Sequence, residues 1–299
     1  MPELPEVTTT VAGLNEVLPK LKIVSAWSDY FLHTKNKRTD VIKNKRFFGH
    51  FKNETVGEKV LSAERRGKNV LIHLTHGKTI LIHMKMTGHL LYGQYEWNGK
   101  KWQSSEVRLS DSFNQFIHLI FTLSNKKHLA FSDMRKFAKV TIFETHKRND
   151  FVDLASLGPE PLDNLSLQTF KKQLLTKPSK KIKTVLMDQT VLAGIGNIYS
   201  DEILWASGVH PERKPQTLSG VEMKSMWMAV KKILSASIKM GGDSMSDYRN
   251  VYGEKGSFQN THKAYRRTEE KCLKRRCLGT IQRKVIGGRS AHFCNIHQK

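Results

Sequence analysis

Cysteine is scarce: three in 299 residues, Cys272, Cys277 and Cys294, all near the C-terminal end. An odd, clustered set of thiols excludes a disulfide framework spread through the fold. Long apolar runs are missing as well, and no stretch of about 18 apolar residues offers a membrane-spanning helix. The opening MPELPEV has acids at Glu3 and Glu6 where a signal peptide would be apolar, so neither secretion nor organelle import is expected, and the chain is placed in the cytoplasm. Acidic residues are the third shortage. With 27 Asp plus Glu against 50 Lys plus Arg, the net charge is +23, a balance that favours a polyanionic partner, nucleic acid before a membrane surface. No internal repeat, no low-complexity tract and no cluster of carboxylates suited to a two-metal nuclease is found.

What is present falls into distinct textures. Val7, Val11, Leu14 and Leu18 recur at helical spacing, predicting an amphipathic helix over 5–19. From 22 to 145 the chain carries short β-branched runs, at 68–74, 78–84, 116–123 and 139–145, with turn signals at His76-Gly77 and Ser124-Asn125. This half reads as an antiparallel β-sandwich or barrel. LGPEPLDN (157–164) then marks a linker, and helical segments follow, one with the capping-box pair Ser219 and Glu222 before it and Gly241-Gly242 at its end. The polar stretch 243–264 reads as a long loop, and 266–299 as a basic tail with ten Lys or Arg and two Glu.

Three groups could carry chemistry. Cys272-x4-Cys277 and Cys294-x2-His297 are two close ligand pairs, the pattern of a closed tetrahedral zinc site that folds a tail too short for its own core. Incidental cysteines beside a surface histidine are the competing reading. Pro2 becomes a secondary amine if Met1 is removed. An α-amino group titrates near 7.7–8.0 and lysine near 10.4, so the terminus is richer in neutral amine at pH 7 by roughly 300-fold; by itself the residue equally fits a simple leader position. AGIGNIY (193–199) leads two glycines and an asparagine into a helix, a turn able to approach phosphate. It lacks the GK[ST] of a nucleotide-binding loop, and on its own it is a weak signal.

Together these residues resemble the formamidopyrimidine-DNA glycosylase/endonuclease VIII family. The resemblance runs end to end through MPELPEV (1–7), ERRGKNVLIHL (64–74), HMKMTG (83–88), SDMRKFAKV (132–140), LGPEPL (157–162), IKTVLMDQTVLAGIGNIYSDEILWASGVHP (182–211) and GGRSAHFC (287–294). It implies an α+β multidomain protein: an N-terminal antiparallel β-sandwich domain (1–150), a helix–two-turn–helix domain with a lesion-capping loop (151–265) and a C-terminal zinc-finger hairpin (266–299). It implies a bifunctional glycosylase and lyase acting on oxidised purines in double-stranded DNA, as a monomer with one structural zinc ion. Pro2 would attack C1′ and form an iminium, Glu3 would assist opening of the sugar ring, and Glu6 would order the site. Lys68 would contact phosphate and serve β-elimination, and Arg289 would clamp phosphate and serve δ-elimination. Met86, Arg135 and Phe137 would fill the void left by the flipped base, while Lys183, Asn197 and Lys180 would hold the phosphate backbone.

The chain departs from the family pattern in several places. Four residues separate the first cysteine pair instead of two, and His297 stands where a fourth cysteine is usual. Phe116 replaces a DNA-contacting histidine, with His118 nearby and a longer segment before it, and YRRTEEKC replaces the usual glycine-containing approach to the finger. An endonuclease VIII-like preference for oxidised pyrimidines is the alternative within the family, disfavoured by Leu4; a non-catalytic zinc-stabilised DNA-binding protein is the alternative outside its chemistry.

Overall fold

Alternating apolar residues set the architecture of the first half. In a computed structural model describing residues 1–32 and 38–299, the chain divides into two units, Met1–Ala155 with Gly241–Ser257, and Ser156–Met240 with Phe258–Lys299. The first unit opens with α1 (Leu4–Val17), β1 (Ile23–Ser28) and α2 (Lys45–Thr55). It continues through β2 (Val60–Arg66), β3 (Asn69–Leu74), β4 (Lys78–His83) and β5 (His89–Gly93). A small hairpin of β6 (Glu96–Trp97) and β7 (Trp102–Gln103) precedes β8 (Ile117–Leu123), β9 (His128–Ser132), β10 (Lys139–Glu144) and the short α3 (Val152–Ala155).

The larger strands form two antiparallel four-stranded sheets, ordered β1-β8-β9-β5 and β10-β4-β3-β2. Side chains of a strand alternate between faces, so Val70, Ile72, Ile80 and Ile82 of one sheet and Leu119, Phe121, Leu129 and Phe131 of the other enter one core. Val7 and Leu14 of α1 join it, which is what the helical spacing of the first residues predicts. The sandwich expected from the sequence is present. The helix α2 was not foreseen there; Asn44 caps it by accepting the amide of Phe47 at 3.0 Å, and Phe51 is its buried anchor.

Residues 241–257, read from the sequence within the helical region, pack in this first unit. Tyr92 donates its amide to the Val251 carbonyl at 2.7 Å, and Arg249, 2% exposed, forks onto Asp111 with Nε and Nη2 at 3.0 and 2.8 Å. Tyr248 donates its hydroxyl to the Glu6 carbonyl at 3.0 Å.

The second unit holds α4 (Leu167–Leu175), α5 (Ile182–Met187), α6 (Asn197–Ser207) and α7 (Gly220–Lys239), then the hairpin β11 (Gln282–Ile286) and β12 (Arg289–Phe293). Ser219 and Glu222 form the expected capping box at the start of α7. Among the described residues no helix is long and apolar enough to cross a membrane.

Candidate nucleic-acid interface and metal centre

In the first unit the N-terminal motif folds onto itself. Glu3 is the N-cap of α1, and its backbone amide donates to Glu6 Oε2 at 2.8 Å. The other Glu6 oxygen accepts the Asp243 amide at 2.7 Å. A Cβ on Gly242 would lie 2.9 Å from that oxygen, and Gly242 has φ +84, so glycine is required for the close approach. Pro2, Glu3 and Glu6 are all buried, with Glu3 and Glu6 2% and 1% exposed. Glu6 thus locks the residues beside Pro2 to the 241–257 segment.

Lys68 sits in the two-residue turn joining β2 to β3, beside Gly67 at φ +56. The side chain of Asn69 closes the turn by donating to the Arg66 carbonyl at 3.2 Å. The imidazole of His83, cross-strand from Asn69, is pushed down to about 3 by burial, with the cations of Lys85 and Lys68 adding to the effect. It is neutral at pH 7, which leaves the charge of this corner to the lysines.

Met86 is half-buried, whereas Arg135 and Phe137 are exposed, with the guanidinium 4.4 Å from the Phe137 ring centroid. A cation stacked on an exposed ring is a ready pair to meet bases. Both loops are organised by a residue the sequence did not single out. Asp133, 0% exposed, accepts from Thr87 Oγ1 at 2.5 Å, Tyr30 Oη at 2.9 Å and the Ala138 amide at 2.9 Å. It therefore ties the turn holding Met86 to the loop holding Arg135 and Phe137. A Cβ on Gly88 would meet the Met84 carbonyl at 2.5 Å, so that turn also needs its glycine. Close by, His118 Nδ1 lies 2.8 Å from Asp29, and Phe116 is partly exposed.

The second unit carries a separate basic cleft of about 680 Å³, lined among others by Asn197, Arg266, Arg283, Arg289 and Ser290. Arg289 opens β12 after Gly287 and Gly288, whose φ values of +58 and +75 suit a tight hairpin turn. The Asn197 Oδ1 is buried without a hydrogen-bond partner among the described residues. Three guanidinium-bearing residues around one cleft fit phosphate.

Lys180 is exposed, as a phosphate contact requires. Lys183 is placed differently from that expectation: it is 0% exposed, with Nζ 2.5 Å from Asp201 Oδ1 and 3.2 Å from Ser200 Oγ. A phosphate could take it only by displacing the buried carboxylate. The second oxygen of Asp201 accepts the His292 amide at 3.0 Å and faces its Nδ1 at 2.8 Å, so Asp201 joins α5, α6 and the arginine-bearing strand β12. Glu202 beside it accepts the amides of Lys263, Ala264 and Tyr265 at 2.9, 2.9 and 2.8 Å, fixing the approach to the C-terminal hairpin. Neither acid was legible as a site residue, because their partners are distant in sequence.

Cys272, Cys277, Cys294 and His297 bring their ligand atoms within 4.8 Å of one another. Cys272 Sγ is 3.2 Å from His297 Nδ1, and the sulfurs of Cys277 and Cys294 are 3.6 Å apart. Ligand separations of this size suit a tetrahedron with metal bonds of about 2.0–2.3 Å. His297 turns its Nε2 to the Trp205 carbonyl at 2.9 Å, and the Trp205 indole donates to Cys272 Sγ at 3.3 Å, the outer contacts that orient metal ligands. The four-residue spacer and the histidine are thus both accommodated.

Comparison with known proteins agrees with this layout. The formamidopyrimidine-DNA glycosylase N-terminal domain matches residues 1–140, and the formamidopyrimidine-DNA glycosylase H2TH domain matches residues 157–249. A formamidopyrimidine-DNA glycosylase of Pelotomaculum thermopropionicum is 35% identical over 100% of this chain and 99% of its own. That of Bacillus subtilis is 33% identical over 98% of each. Among solved structures, a Lactococcus lactis Fpg variant bound to Fapy-dG-containing DNA superposes with TM-score 0.84 at 29% identity, covering 100% of both chains. MutM bound to DNA containing carbocyclic 8-oxo-G gives TM-score 0.83 at 29% identity, again over 100% of both. The chain belongs to the formamidopyrimidine-DNA glycosylase family.

Proposed function

We propose that this protein is a bifunctional glycosylase and lyase that removes oxidised purines, 8-oxoguanine and formamidopyrimidines, from double-stranded DNA, working as a monomer in the cytoplasm. The observation that carries the reading is the buried Pro2-Glu3 pair, clamped through Glu6 onto Gly242-Asp243. With Met1 removed, the Pro2 nitrogen attacks C1′ as the bond to the damaged base breaks, and the base leaves with a proton. Glu3 protonates the ring oxygen so that the sugar opens and the C1′–nitrogen bond becomes an iminium. Loss of the C2′ proton then expels the 3′ phosphate, and a second elimination expels the 5′ phosphate. Lys68 supplies a cation for the first elimination and Arg289 clamps the phosphate in the second. A guanidinium stays protonated at pH 7, so the role of Arg289 is electrostatic.

Met86, Arg135 and Phe137 fill the space left by the flipped base, a step that costs a few kcal/mol and needs a substitute in the stack. Asn197 and Lys180 hold the backbone, and Lys183 acts by anchoring Asp201. Cys272, Cys277, Cys294 and His297 hold one structural zinc ion, whose four protein ligands leave no open position for substrate. A duplex with a single 8-oxoguanine, incubated with the protein, should yield the free base and a one-nucleoside gap with phosphate on both ends. Arg289→Ala should release the base yet accumulate the β-elimination product. An intact strand and an unreleased base with Met1-processed protein would contradict the proposal.

A further inference from the structure

The stretch before β8 takes no part in this chemistry, yet it grips the 243–257 segment that leads away from Glu6. Residues 107–115 fold into two short 3₁₀ turns, Val107–Leu109 and Ser112–Gln115, and Asp111 between them accepts the Phe113 amide at 2.9 Å. The same carboxylate takes the fork of the buried Arg249, whose Nη1 donates to the carbonyls of Ser246 and Tyr248 at 2.9 and 2.8 Å. The guanidinium also lies 5.2 Å from the centroid of the Phe113 ring. Burying a cation is costly unless it is paired and hydrogen-bonded, and here one guanidinium draws the backbone at Ser246 and Tyr248 onto one acid.

Backbone contacts complete the grip. Asn114 Nδ2 donates to the Gly253 carbonyl at 3.4 Å, and a Cβ on Gly253 would lie 2.3 Å from the Arg108 carbonyl oxygen, so at φ +85 this position needs glycine. Tyr92 adds its bond to the Val251 carbonyl. The two ends of the segment are pinned elsewhere. The Asp243 amide is held by Glu6 beside Pro2, and the Gly256 amide donates to Ser244 Oγ at 2.9 Å, where a Cβ on Gly256 would lie 2.2 Å from the Gly242 carbonyl oxygen. The segment is thus a closed loop that stands on Glu6 at its base and on Asp111 at its middle, with Met245, Glu254 and Lys255 exposed. Ordering a loop costs entropy at every residue, and a loop ordered beforehand spares that cost when a ligand binds.

We propose, resting on the reading that oxidised purines are the substrate, that Asp111 and Arg249 are positioning residues that hold 243–257 ready to enclose the damaged base before DNA binds. Strand cleavage at a site that has already lost its base needs no such enclosure. The test uses the full-length protein and two duplexes, one carrying 8-oxoguanine and one an abasic site. Asp111→Asn, which keeps an oxygen for the Phe113 amide, and Arg249→Met should each lower kcat/KM for 8-oxoguanine about tenfold and change abasic-site cleavage by less than about twofold. The double variant should lose no more than either single one, because the two side chains act as a unit. Arg249→Lys, which keeps the cation and loses the fork, should fall between wild type and Arg249→Met. Amide hydrogen exchange at 243–257 should accelerate about tenfold in Asp111→Asn, with exchange in β3 and β4 unchanged. Equal loss of both activities, additive losses in the double variant, or full 8-oxoguanine excision despite faster exchange in the segment would overturn the proposal alone. Wild-type protein that cleaves the abasic duplex but leaves 8-oxoguanine in place would instead refute the purine reading, and the proposal with it.

Discussion

Asp133 shows how a single buried carboxylate can build a surface it does not itself occupy. Its oxygens hold Thr87, Tyr30 and Ala138 together, and the exposed Arg135 and Phe137 lie on the loop so fixed. Leaving buried donors without an acceptor costs about 1–3 kcal/mol each. Asp133→Ala is therefore expected to destabilise the protein by roughly 3 kcal/mol or more, read as a lower urea midpoint, and to weaken binding to an abasic-site duplex. A variant with wild-type stability and wild-type DNA affinity would remove Asp133 from this role. His89 gives the corresponding pH dependence. It is 0% exposed, faces Asn114 Oδ1 at 3.0 Å and the Thr87 carbonyl at 3.3 Å, and burial pushes its imidazole down to about 4. In the unfolded chain histidine titrates near 6.5, so as the pH falls from there to about 4 the unfolded state takes a proton that the folded state refuses. The neutral-His contribution is whole above that window and declines through it by up to about 3 kcal/mol. Urea unfolding at pH 7 and pH 5 should show the loss, and His89→Gln should reduce the difference while leaving the share that His83 contributes over the same window; a difference unchanged by the substitution would contradict the assignment.

At the scale of the elements, the C-terminal hairpin depends most on a group outside the chain. Ile286, Ala291 and Phe293 form a small apolar cluster, and Cys272, Ile281 and Cys294 another, too little to fold 266–299 alone. Stripping the metal with a strong chelator should cost duplex affinity by about tenfold or more and release about one zinc per chain by atomic absorption, while the sandwich, followed by its tryptophans, keeps its fold. Retained affinity after complete metal loss would separate the finger from DNA binding. This hairpin was the element best read from sequence, because thiol spacing reports a local geometry directly. The strands β3, β4, β8 and β10 were also legible, since their apolar runs are compact and bounded by turns. Helix α2 was not: its apolar stripe, Phe47, Phe48 and Phe51, spans little more than one turn inside a basic sequence, although all three rings pack on the core. Site residues divide the same way. Pro2, Glu3, Lys68 and Arg289 stand in dense local motifs, whereas Asp133, Asp201 and Glu202 acquire their partners only through folding. Lys183 illustrates the limit, as its motif is intact while its ammonium is spent on Asp201.

For the whole molecule the excess of cations over anions, net +23, reads as one function only when joined to a site. Charge favours any polyanion. The buried N-terminal motif of the first unit and the arginine cleft and metal centre of the second, each furnished by its own fold, make damaged DNA the partner that uses all of them. In the proposed reaction the amine of residue 2 bonds covalently to the sugar. Borohydride reduction of the Met1-processed protein with duplex DNA carrying 8-oxoguanine, followed by peptide mapping, tests it most directly. A stable protein–DNA adduct located on Pro2 is expected, lost when Pro2 is blocked by acetylation and retained in Lys68→Ala. An adduct mapped to Lys68 or another lysine, or no adduct while the base is released, would contradict it.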